Sequence, residues 1–378
     1  MKRVILTILR FISALFATLI PNRKKIWLFS SWMGGALNDN PRAFFDYLQV
    51  NSDIRCIWIL KCRKELKVSQ RERIEAYYYL SVKGIYFQLV AEFVFFTHGI
   101  ISEFNSAFIG YNTKRVNLWH GMPIKKIGFD DKKFATRTPF EKYYWYRFVR
   151  NEIHDYYVSI GHDCTSIYES AFNVEKNKIL ETGFPRNDLL LKGSTIVKNG
   201  EFLSILYMPT FREQGDDIFD FDFNIIDELC HQNNIKIFIK LHPVVSVDYP
   251  TLSTIERTQN ISIVNVENIY DSLGSYDVLV SDISSVIFDF ALLDREIYLL
   301  SSDLNDYEKS ERELYSHAES VRGRMINNWT ELFSIIGSID SCKNFSPVAI
   351  NYHKNKDFPF SSCQRLYEAL LKKEDDNE

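Results

Sequence analysis

The stretch VLVSDISSVIFDF, from Val278 to Phe290, decides the fold class. An apolar run typical of a buried strand ends at Ser281 and Asp282, and Ser284 and Ser285 then open a segment with helical character. A strand that passes through a short polar loop into a helix is the repeating unit of proteins with parallel sheets. The stretch therefore predicts an α/β fold.

The polar loop within this stretch also predicts an anion site. A serine at a helix N-cap leaves backbone N–H groups facing outward, and the helix dipole favours an anion there. Ser285 and Asp289 lie four residues apart, so their side chains share one helical face. We predict that Ser284 and Ser285 bind phosphate, with Asp282 and Asp289 as neighbouring residues of the same binding site. An ordinary serine N-cap followed by an exposed aspartate is the alternative interpretation.

Similar strand-and-helix patterns extend in both directions from this stretch. Predicted strands before residue 192 are Lys25–Ser30, Ile54–Leu60, Phe93–Thr97, Val116–Trp119, Tyr156–Ile160 and Ile179–Thr182, and those after residue 200 are Phe202–Tyr207, Ile235–Leu241, Ile261–Val264, Tyr276–Ser281 and Glu296–Leu300. Predicted helices are Pro41–Leu48, Ser69–Gln88, Arg137–Arg150, Phe223–Gln232 and Ser285–Leu293, and the tail from Glu311 onward is mostly helical. We expect two doubly wound, Rossmann-like domains that face each other across a cleft.

A polar, glycine-flanked segment at residues 192–200 predicts the link between the domains. The expected division is an N-terminal helix at 1–22, an N-terminal domain at 23–195 and a C-terminal domain at 196–378.

Composition places the chain among folded enzymes. Hydrophobic residues make up 46% of the 378, which excludes a disordered chain. The formal net charge of −4 argues against a nucleic-acid binder, which usually carries a basic excess. Six cysteines without a CxxC pair indicate reduced thiols, not a disulfide framework or a zinc site.

The N-terminus predicts an amphipathic helix at a membrane surface. Val4–Ile20 is apolar with a narrow polar stripe around Arg10, and basic residues flank it on both sides. We expect this helix to lie on the cytoplasmic face of a membrane, where Lys2, Arg3 and the Arg23–Lys25 cluster meet anionic head groups. A surface helix packed on its own domain and a transmembrane anchor are the alternatives.

Two strand ends in the N-terminal half carry polar residues suited to chemistry. His120 follows a predicted strand and is freed by Gly121, and an imidazole with an ordinary pKa near 6.5 suits a general base. Lys125 and Lys126 follow closely and offset substrate phosphate charge. GFPRND, which contains Arg186, Asn187 and Asp188, presents further hydrogen-bonding groups after a rigid turn.

Two strand ends in the C-terminal half predict phosphate contacts. Thr210 and Arg212 follow the first strand there, and a guanidinium can hold a phosphate through two parallel N–H bonds. His242 follows the next strand, in KLHP, and is placed to donate a hydrogen bond to a phosphate oxygen or to a leaving group. The alternatives are a surface salt bridge for Arg212 and a buried structural role for His242.

Other catalytic motifs are absent from the sequence. It contains no GxGxxG, no P-loop, no GxSxG and no HExxH. The triplet Asp220-Phe221-Asp222 has a metal-binding spacing that arises easily by chance in an acidic loop. We predict neither a metal nor a cofactor.

Five ordered motifs resemble those of the CDP-glycerol:poly(glycerol phosphate) glycerophosphotransferase family, which builds teichoic acids and some capsular polymers. They are WHGMPIKKIGFD (119–130), GFPRND (183–188), YMPTFRE (207–213), KLHP (240–243) and SDISSVIFD (281–289). The resemblance runs from about Ile26 to Leu300. Departures from the usual motifs are Met122, Phe184, Met208, Lys240 and Ile283, and none removes a histidine, serine or aspartate that the chemistry needs.

The resemblance implies a GT-B fold and the transfer of glycerol phosphate, or a related alditol phosphate, from CDP-glycerol to a hydroxyl, with CMP leaving. The implied acceptor is lipid-linked or polymeric. His120 is implied as the base for the acceptor hydroxyl. Arg212, His242, Ser284 and Ser285 are implied to bind the donor phosphates, with Asp289 nearby.

Two other functions remain open from the sequence. One is a glycosyltransferase of similar two-domain build that uses a nucleotide sugar. The other is a non-catalytic, membrane-bound scaffold of a polymer synthesis complex.

Overall fold

The computed structural model of the chain describes residues 20–110, 112–132, 138–140, 154–193, 202–209, 219, 221–241, 249–266, 268–282, 284–300, 313–315, 324–338 and 361–375. These residues form two compact units. The first unit contains the described residues up to His120, those in Ile127–Asp188 and the C-terminal helix. The second contains Gly121–Lys126 and the described residues from Leu189 to Ser338.

The first unit is built on a seven-stranded parallel sheet in the order β3-β2-β1-β4-β5-β6-β7. Its strands are β1 (Ile26–Phe29), β2 (Arg55–Leu60), β3 (Ala76–Tyr78), β4 (Phe93–Phe96), β5 (Lys114–Asn117), β6 (Tyr156–Ser159) and β7 (Ile179–Glu181). The order reverses between β1 and β4, which is the doubly wound topology, with its switch point at these two strands.

The helices of the first unit lie between its strands, except for the last two. They are α1 (Asp39–Asn51), α2 (Glu65–Arg71), α3 (Val82–Val90), α4 (Ile100–Glu103), α5 (His162–Phe172) and α6 (Asn187–Gly193), followed much later in the chain by α12 (Ser362–Asp375). Helix α6 begins in the first unit, and its residues from Leu189 onward belong to the second.

Continuous apolar sequence explains why β1 and β4 lie at the centre of the first sheet. Every residue of both strands is buried, as expected for strands that are covered on both faces. Aromatic rings fill one layer, with Trp27 4.8 Å from Phe93 and Phe29 4.8 Å from Phe95 between ring centroids. This packing fixes the strand ends where polar residues follow.

The second unit contains a six-stranded parallel sheet in the order β10-β9-β8-β11-β12-β13. Its strands are β8 (Leu203–Met208), β9 (Ile235–Ile239), β10 (Ile261–Ile263), β11 (Val278–Ser281), β12 (Glu296–Leu300) and β13 (Arg324–Ile326). Its helices are α7 (Phe223–Asn233), α8 (Tyr249–Arg257), α9 (Tyr270–Leu273), α10 (Val286–Phe290) and α11 (Trp329–Ser338). The strand order reverses between β8 and β11. Two doubly wound parallel sheets confirm the predicted fold class.

The predicted helix at Ser69–Gln88 is wrong. The structure places a helix, a strand and a second helix there, namely α2, β3 and α3. Helix α2 ends at Arg71, and Arg73 has the left-handed backbone angle φ 59° that terminates helices. The following Ala76–Tyr78 pairs with β2, since tyrosines favour a pleated surface.

The C-terminal helix belongs to the first unit and not, as the sequence predicted, to the C-terminal domain. The sequence assigns residues 196–378 to one domain, whereas α12 packs on α1 in the first unit. Both carboxylate oxygens of Asp188 accept backbone N–H bonds from the start of α12, at 2.8 Å from Ser362 and 2.9 Å from Cys363. Arg365 donates to the Thr182 carbonyl at 2.9 Å. These bonds join α12 to the β7–α6 connection.

Several predictions fall outside the described residues. The amphipathic helix lies almost wholly within residues 1–19, and the predicted helix Arg137–Arg150 overlaps the described part only at residues 138–140. Most of the predicted link is likewise outside it. Among the residues that the structure describes, no helix has the length and apolar character needed to cross a membrane.

The described cysteines are free thiols. Burial raises the pKa of Cys56, Cys164 and Cys230 to about 12, so these thiols stay protonated.

Candidate active site

His120 lies at the carboxyl edge of the first sheet, three residues after β5. Trp119 takes a left-handed conformation with φ 56°, and its N–H donates to Asn117 Oδ1 at 2.9 Å. Asn40 in α1 holds the same turn, because its Nδ2 donates to the carbonyls of Leu118 and Trp119 at 3.1 and 3.0 Å. The sharp turn after the strand therefore sets the direction of the His120 ring.

One hydrogen bond determines the tautomer of His120. Its Nδ1 lies 3.2 Å from the backbone carbonyl oxygen of Thr97, which follows β4. Because a carbonyl only accepts, the neutral ring carries its hydrogen on Nδ1. The lone pair is then on Nε2, the nitrogen available to take a proton.

The pKa of His120 is lower than the sequence predicted. Burial of the half-buried ring and, next, the neighbouring His98 imidazole lower this pKa from its ordinary value near 6.5 to about 4. The ring is therefore neutral at physiological pH, which suits a base. The sequence analysis assumed an ordinary pKa near 6.5 for this imidazole, whereas in the structure its pKa is about 4.

The His120 ring belongs to a row of aromatic side chains. The His98 ring stacks on it with centroids 4.2 Å apart and planes 5° apart, and the Trp119 ring lies 4.5 Å away at 28°. Trp32 continues the row at 5.1 Å from His98. The sequence analysis missed His98, although Thr97-His98-Gly99 repeats after β4 the His-Gly pattern that follows β5.

A buried ion pair fixes the backbone of His120. Arg186 Nη1 donates to Asp39 Oδ1 at 2.8 Å and to the His120 carbonyl at 3.0 Å, and the two charged side chains are only 3% and 5% exposed. Asp39 Oδ2 also accepts from Trp32 Nε1 at 2.9 Å. Arg186 was predicted as a phosphate contact on the acceptor side. In the structure its side chain bonds Asp39 and the loop that contains His120.

The remaining residues predicted on the acceptor side lie in different surroundings. Asn187 is buried beside Arg186, and Asp188 binds the start of α12. Lys126 pairs with Glu313 at 3.0 Å within the second unit. Lys125 bridges Leu314 through its backbone in the same unit. The sequence analysis predicted these residues as substrate contacts and did not predict these contacts within the protein.

The predicted phosphate loop follows β11 at the switch point of the second sheet. Asp282, Ser284 and Ser285 follow directly after the strand, and Ser281 Oγ donates to the Met208 carbonyl at the end of β8 at 2.7 Å. Helix α10 has five residues and continues as a 3₁₀ turn over Ala291–Leu293.

Asp289, predicted in the same phosphate loop, is buried. Its Oδ2 accepts from the Tyr270 hydroxyl at 2.7 Å. This bond joins α10 to α9.

Three predicted donor-site residues, Thr210, Arg212 and His242, lie outside the described residues. The strands that carry them are described, and both point their carboxyl ends to the same edge of the sheet as β11. Lys240, at the end of β9, donates to the Val266 carbonyl at 2.7 Å, and burial lowers its pKa.

Within the described part of the chain, no three histidine, cysteine, aspartate or glutamate side chains form a group able to hold a metal ion. Asp220 lies outside that part. Asp222 accepts the N–H bonds of Asn224 and Ile225 at the start of α7, so it acts as a helix N-cap.

Comparison with known proteins identifies relatives along most of the chain. A sequence model of the family described as CDP-Glycerol:Poly(glycerophosphate) glycerophosphotransferase matches residues 12–372. The chain is 29% identical over 347 residues to a teichoic acid glycerol-phosphate transferase of Staphylococcus aureus, with 86% of each chain covered. It is 28% identical over 355 residues to a teichoic acid poly(glycerol phosphate) polymerase of Bacillus spizizenii, again with 86% of each covered.

A solved structure shows the same fold. The wall teichoic acid polymerase TagF superposes with a TM-score of 0.69 at 22% identity, over 97% of this chain and 90% of that one. With the two parallel sheets, this similarity confirms a GT-B-like α/β fold.

Proposed function

Because the chain belongs to the CDP-glycerol:poly(glycerol phosphate) glycerophosphotransferase family, we propose that it transfers glycerol phosphate from CDP-glycerol to an acceptor hydroxyl and releases CMP. The relatives from S. aureus and B. spizizenii, a transferase and a polymerase of glycerol phosphate, support this donor and a lipid-linked or polymeric acceptor in teichoic acid or capsule synthesis.

The observation that carries the proposal is the neutral, directed imidazole of His120. An alkyl hydroxyl has a pKa far above 7, so it needs to lose its proton as it attacks phosphorus. With Nδ1 bound to the Thr97 carbonyl, Nε2 takes that proton. The oxygen–phosphorus bond to the acceptor forms while the bond from phosphorus to the CMP oxygen breaks, and CMP leaves with the electron pair.

On the donor side we assign phosphate binding to Thr210, Arg212, Ser284 and Ser285, with His242 as the donor of a hydrogen bond or proton to the leaving group. Phosphoryl transfer depends on in-line positioning and on neutralisation of the charge that develops in the transition state. A guanidinium, an imidazole and backbone N–H groups supply both.

Asp282, at the end of β11, and Asp289, which bonds Tyr270, hold the donor loop in this proposal. On the acceptor side, we assign the offset of phosphate charge to Lys125 and to Lys126, which would exchange its Glu313 partner for phosphate. Arg186, with Asn187 buried beside it, positions the His120 loop through its bond to the His120 carbonyl.

We further propose that the protein associates peripherally with the cytoplasmic face of the membrane. The basic, amphipathic pattern of the first 20 residues supports this, and Ile20 packs against the buried cluster under α3. Val82, at the start of α3, is 87% exposed, and the Arg23 guanidinium lies 5.5 Å from the centre of the half-exposed Tyr86 ring. Exposed apolar and basic side chains next to this segment suit an anionic lipid surface.

The membrane proposal is tested by deletion of residues 1–19. The truncated protein is expected to leave the membrane pellet and to keep its activity on a soluble acceptor analogue. Pelleting equal to that of the full chain contradicts the proposal.

The donor is tested by incubating the purified protein with CDP-glycerol, CDP-ribitol and a set of nucleotide sugars, each with a polyol-phosphate acceptor, and by measuring the nucleotide released. Release of CMP from CDP-glycerol is expected. Transfer from a nucleotide sugar alone favours a glycosyltransferase, and no transfer from any donor favours a scaffold.

The donor site is tested in the same assay with Arg212→Ala and with the double variant Ser284→Ala/Ser285→Ala. Removal of one preorganised donor commonly costs about 3 kcal/mol, or on the order of a hundredfold in rate. Affinity for CDP-glycerol is expected to fall as well. Ser334→Ala, at an exposed position of α11, is the matched control. Unaltered donor affinity in both site variants places the donor site elsewhere.

A further inference from the structure

We infer that His98 is a positioning residue for the reaction: its ring stacks on the imidazole of His120 and keeps that ring oriented and neutral. This inference rests on the proposed role of His120 as the base. It gives a function to a residue outside the five sequence motifs.

Buried hydrogen bonds hold His98 rigidly. Glu103, with a fully buried side chain, accepts from the His98 backbone N–H at 2.7 Å and from the Thr97 hydroxyl at 2.7 Å. Because the Thr97 hydroxyl gives its hydrogen to Glu103, its oxygen accepts from His98 Nδ1, 2.8 Å away. The His98 ring is therefore fixed by its backbone and by its side chain.

Thr97 connects the two histidines. Its hydroxyl oxygen accepts from His98 Nδ1, and its carbonyl oxygen accepts from His120 Nδ1 at 3.2 Å. Both rings thus carry hydrogen on Nδ1, and Nε2 of His120 keeps its lone pair. With planes 5° apart and centroids 4.2 Å apart, the two rings form one stacked pair.

The stack also opposes protonation of His120. Two imidazolium rings at this separation repel each other, so a proton on one ring disfavours a proton on the other. The charged groups packed around the pair are Glu103 in α4, Asp39 in α1 and Arg186 before α6. Glu103 is bonded to the Thr97–His98 segment, and Asp39 is paired with Arg186. After burial, His98 is thus the neighbour that most lowers the pKa of His120.

Two variants distinguish the effect of stacking by the His98 ring from the effect of its imidazole group. His98→Phe keeps an aromatic ring in the stack and removes the second imidazole, whereas His98→Asn removes the ring and keeps a donor for the Thr97 hydroxyl. His162→Asn is the matched control, because this histidine of α5 has an 80% exposed side chain.

The measurement is an NMR titration of the His120 ring in protein labelled at histidine, together with kcat as a function of pH. The midpoint of the His120 titration is expected to move to higher pH in both His98 variants. We expect kcat to fall about 10–100-fold in His98→Asn, where the His120 ring is free to turn, and far less in His98→Phe. The control is expected to match the wild type in both measurements.

An unchanged His120 midpoint in both folded His98 variants overturns the inference, whatever the activity. A purely structural role lowers the folded fraction and leaves that midpoint in place. The titration needs no turnover, so it also distinguishes this inference from the proposed function. If the midpoint moves while His120→Ala remains fully active, the stack is real and the assignment of the base is wrong.

Discussion

Replacing Asp39 with asparagine is expected to lower the free energy of unfolding of the first unit by about 3–5 kcal/mol, the cost of breaking a buried ion pair. The pair joins Asp39 to Arg186 at 2.8 Å, with side chains that are 5% and 3% exposed. Asparagine has nearly the same shape and tolerates the left-handed backbone of Asp39, φ 63°. The loss therefore reports the missing charge, which leaves the Arg186 guanidinium buried without its counter-ion.

The assay is hydrogen exchange of the backbone amides of β1 and β4, which reports the opening of the first unit separately from the second. The matched control is Glu75→Gln, which breaks an exposed pair in the same unit. Arg55 and Glu75 lie 2.7 Å apart with side chains 53% and 34% exposed. Such pairs contribute about 0–1 kcal/mol.

A second substitution tests the cause. Adding Arg186→Met to the Asp39→Asn variant removes the unpaired charge, so part of the lost stability is expected to return. A loss below about 1 kcal/mol for Asp39→Asn, equal to that of the Glu75→Gln control, refutes the reasoning. The ion pair would then be a minor contact, and the orientation of the His120 loop would depend on other bonds.

Two further predictions concern packing away from the histidines. In Gly128→Ala the new Cβ would lie 2.0 Å from the Ala171 carbonyl oxygen at φ 57°, so thermal unfolding should show a loss of about 1–3 kcal/mol; Gly35→Ala, where the nearest atom is 3.2 Å away, is the milder control. Asp188→Asn weakens the bonds to the backbone N–H groups of α12, so a loss of about 1 kcal/mol and faster proteolysis at the start of that helix are expected, and unchanged proteolysis contradicts this role.

Particular elements show what the sequence is able to predict of the fold. Most strands of both sheets are continuous apolar runs, and their locations follow from that pattern. Strand β5, Lys114–Asn117, begins two residues before the predicted Val116–Trp119, because its first two residues are basic. Strand β3 was missed because it has only three residues, Ala76–Tyr78, and lies between two helical segments. Strand β13, Arg324–Ile326, was missed because it is short, begins with arginine and lies at the sheet edge. The amphipathic pattern of α12 identifies a helix, but it contains no information about which unit the helix packs on.

In the site, too, the local sequence pattern predicts some features, and others depend on tertiary contacts. His120 was found because a histidine and a glycine directly follow a strand. His98 has the same pattern, and its importance appears only when the stack is seen. Arg186 and Asp188 are polar residues of one motif, and a sequence does not distinguish a ligand contact from a buried ion pair or a helix cap. The lowered pKa of His120 depends on burial and on His98, which are tertiary features.

The most direct measurement of the central claim is the rate of CMP release from CDP-glycerol by His120→Ala, with the affinity for CDP-glycerol measured in parallel. A fall of about 10²–10⁴-fold in turnover with donor affinity nearly intact is expected, the usual span for loss of a general base. In the wild type, the ascending limb of kcat/KM should lie near pH 4, where His120 loses its proton, and the variant should lack it. Turnover close to that of the wild type in a folded His120→Ala protein would contradict the account, and His242 would become the leading candidate for the base.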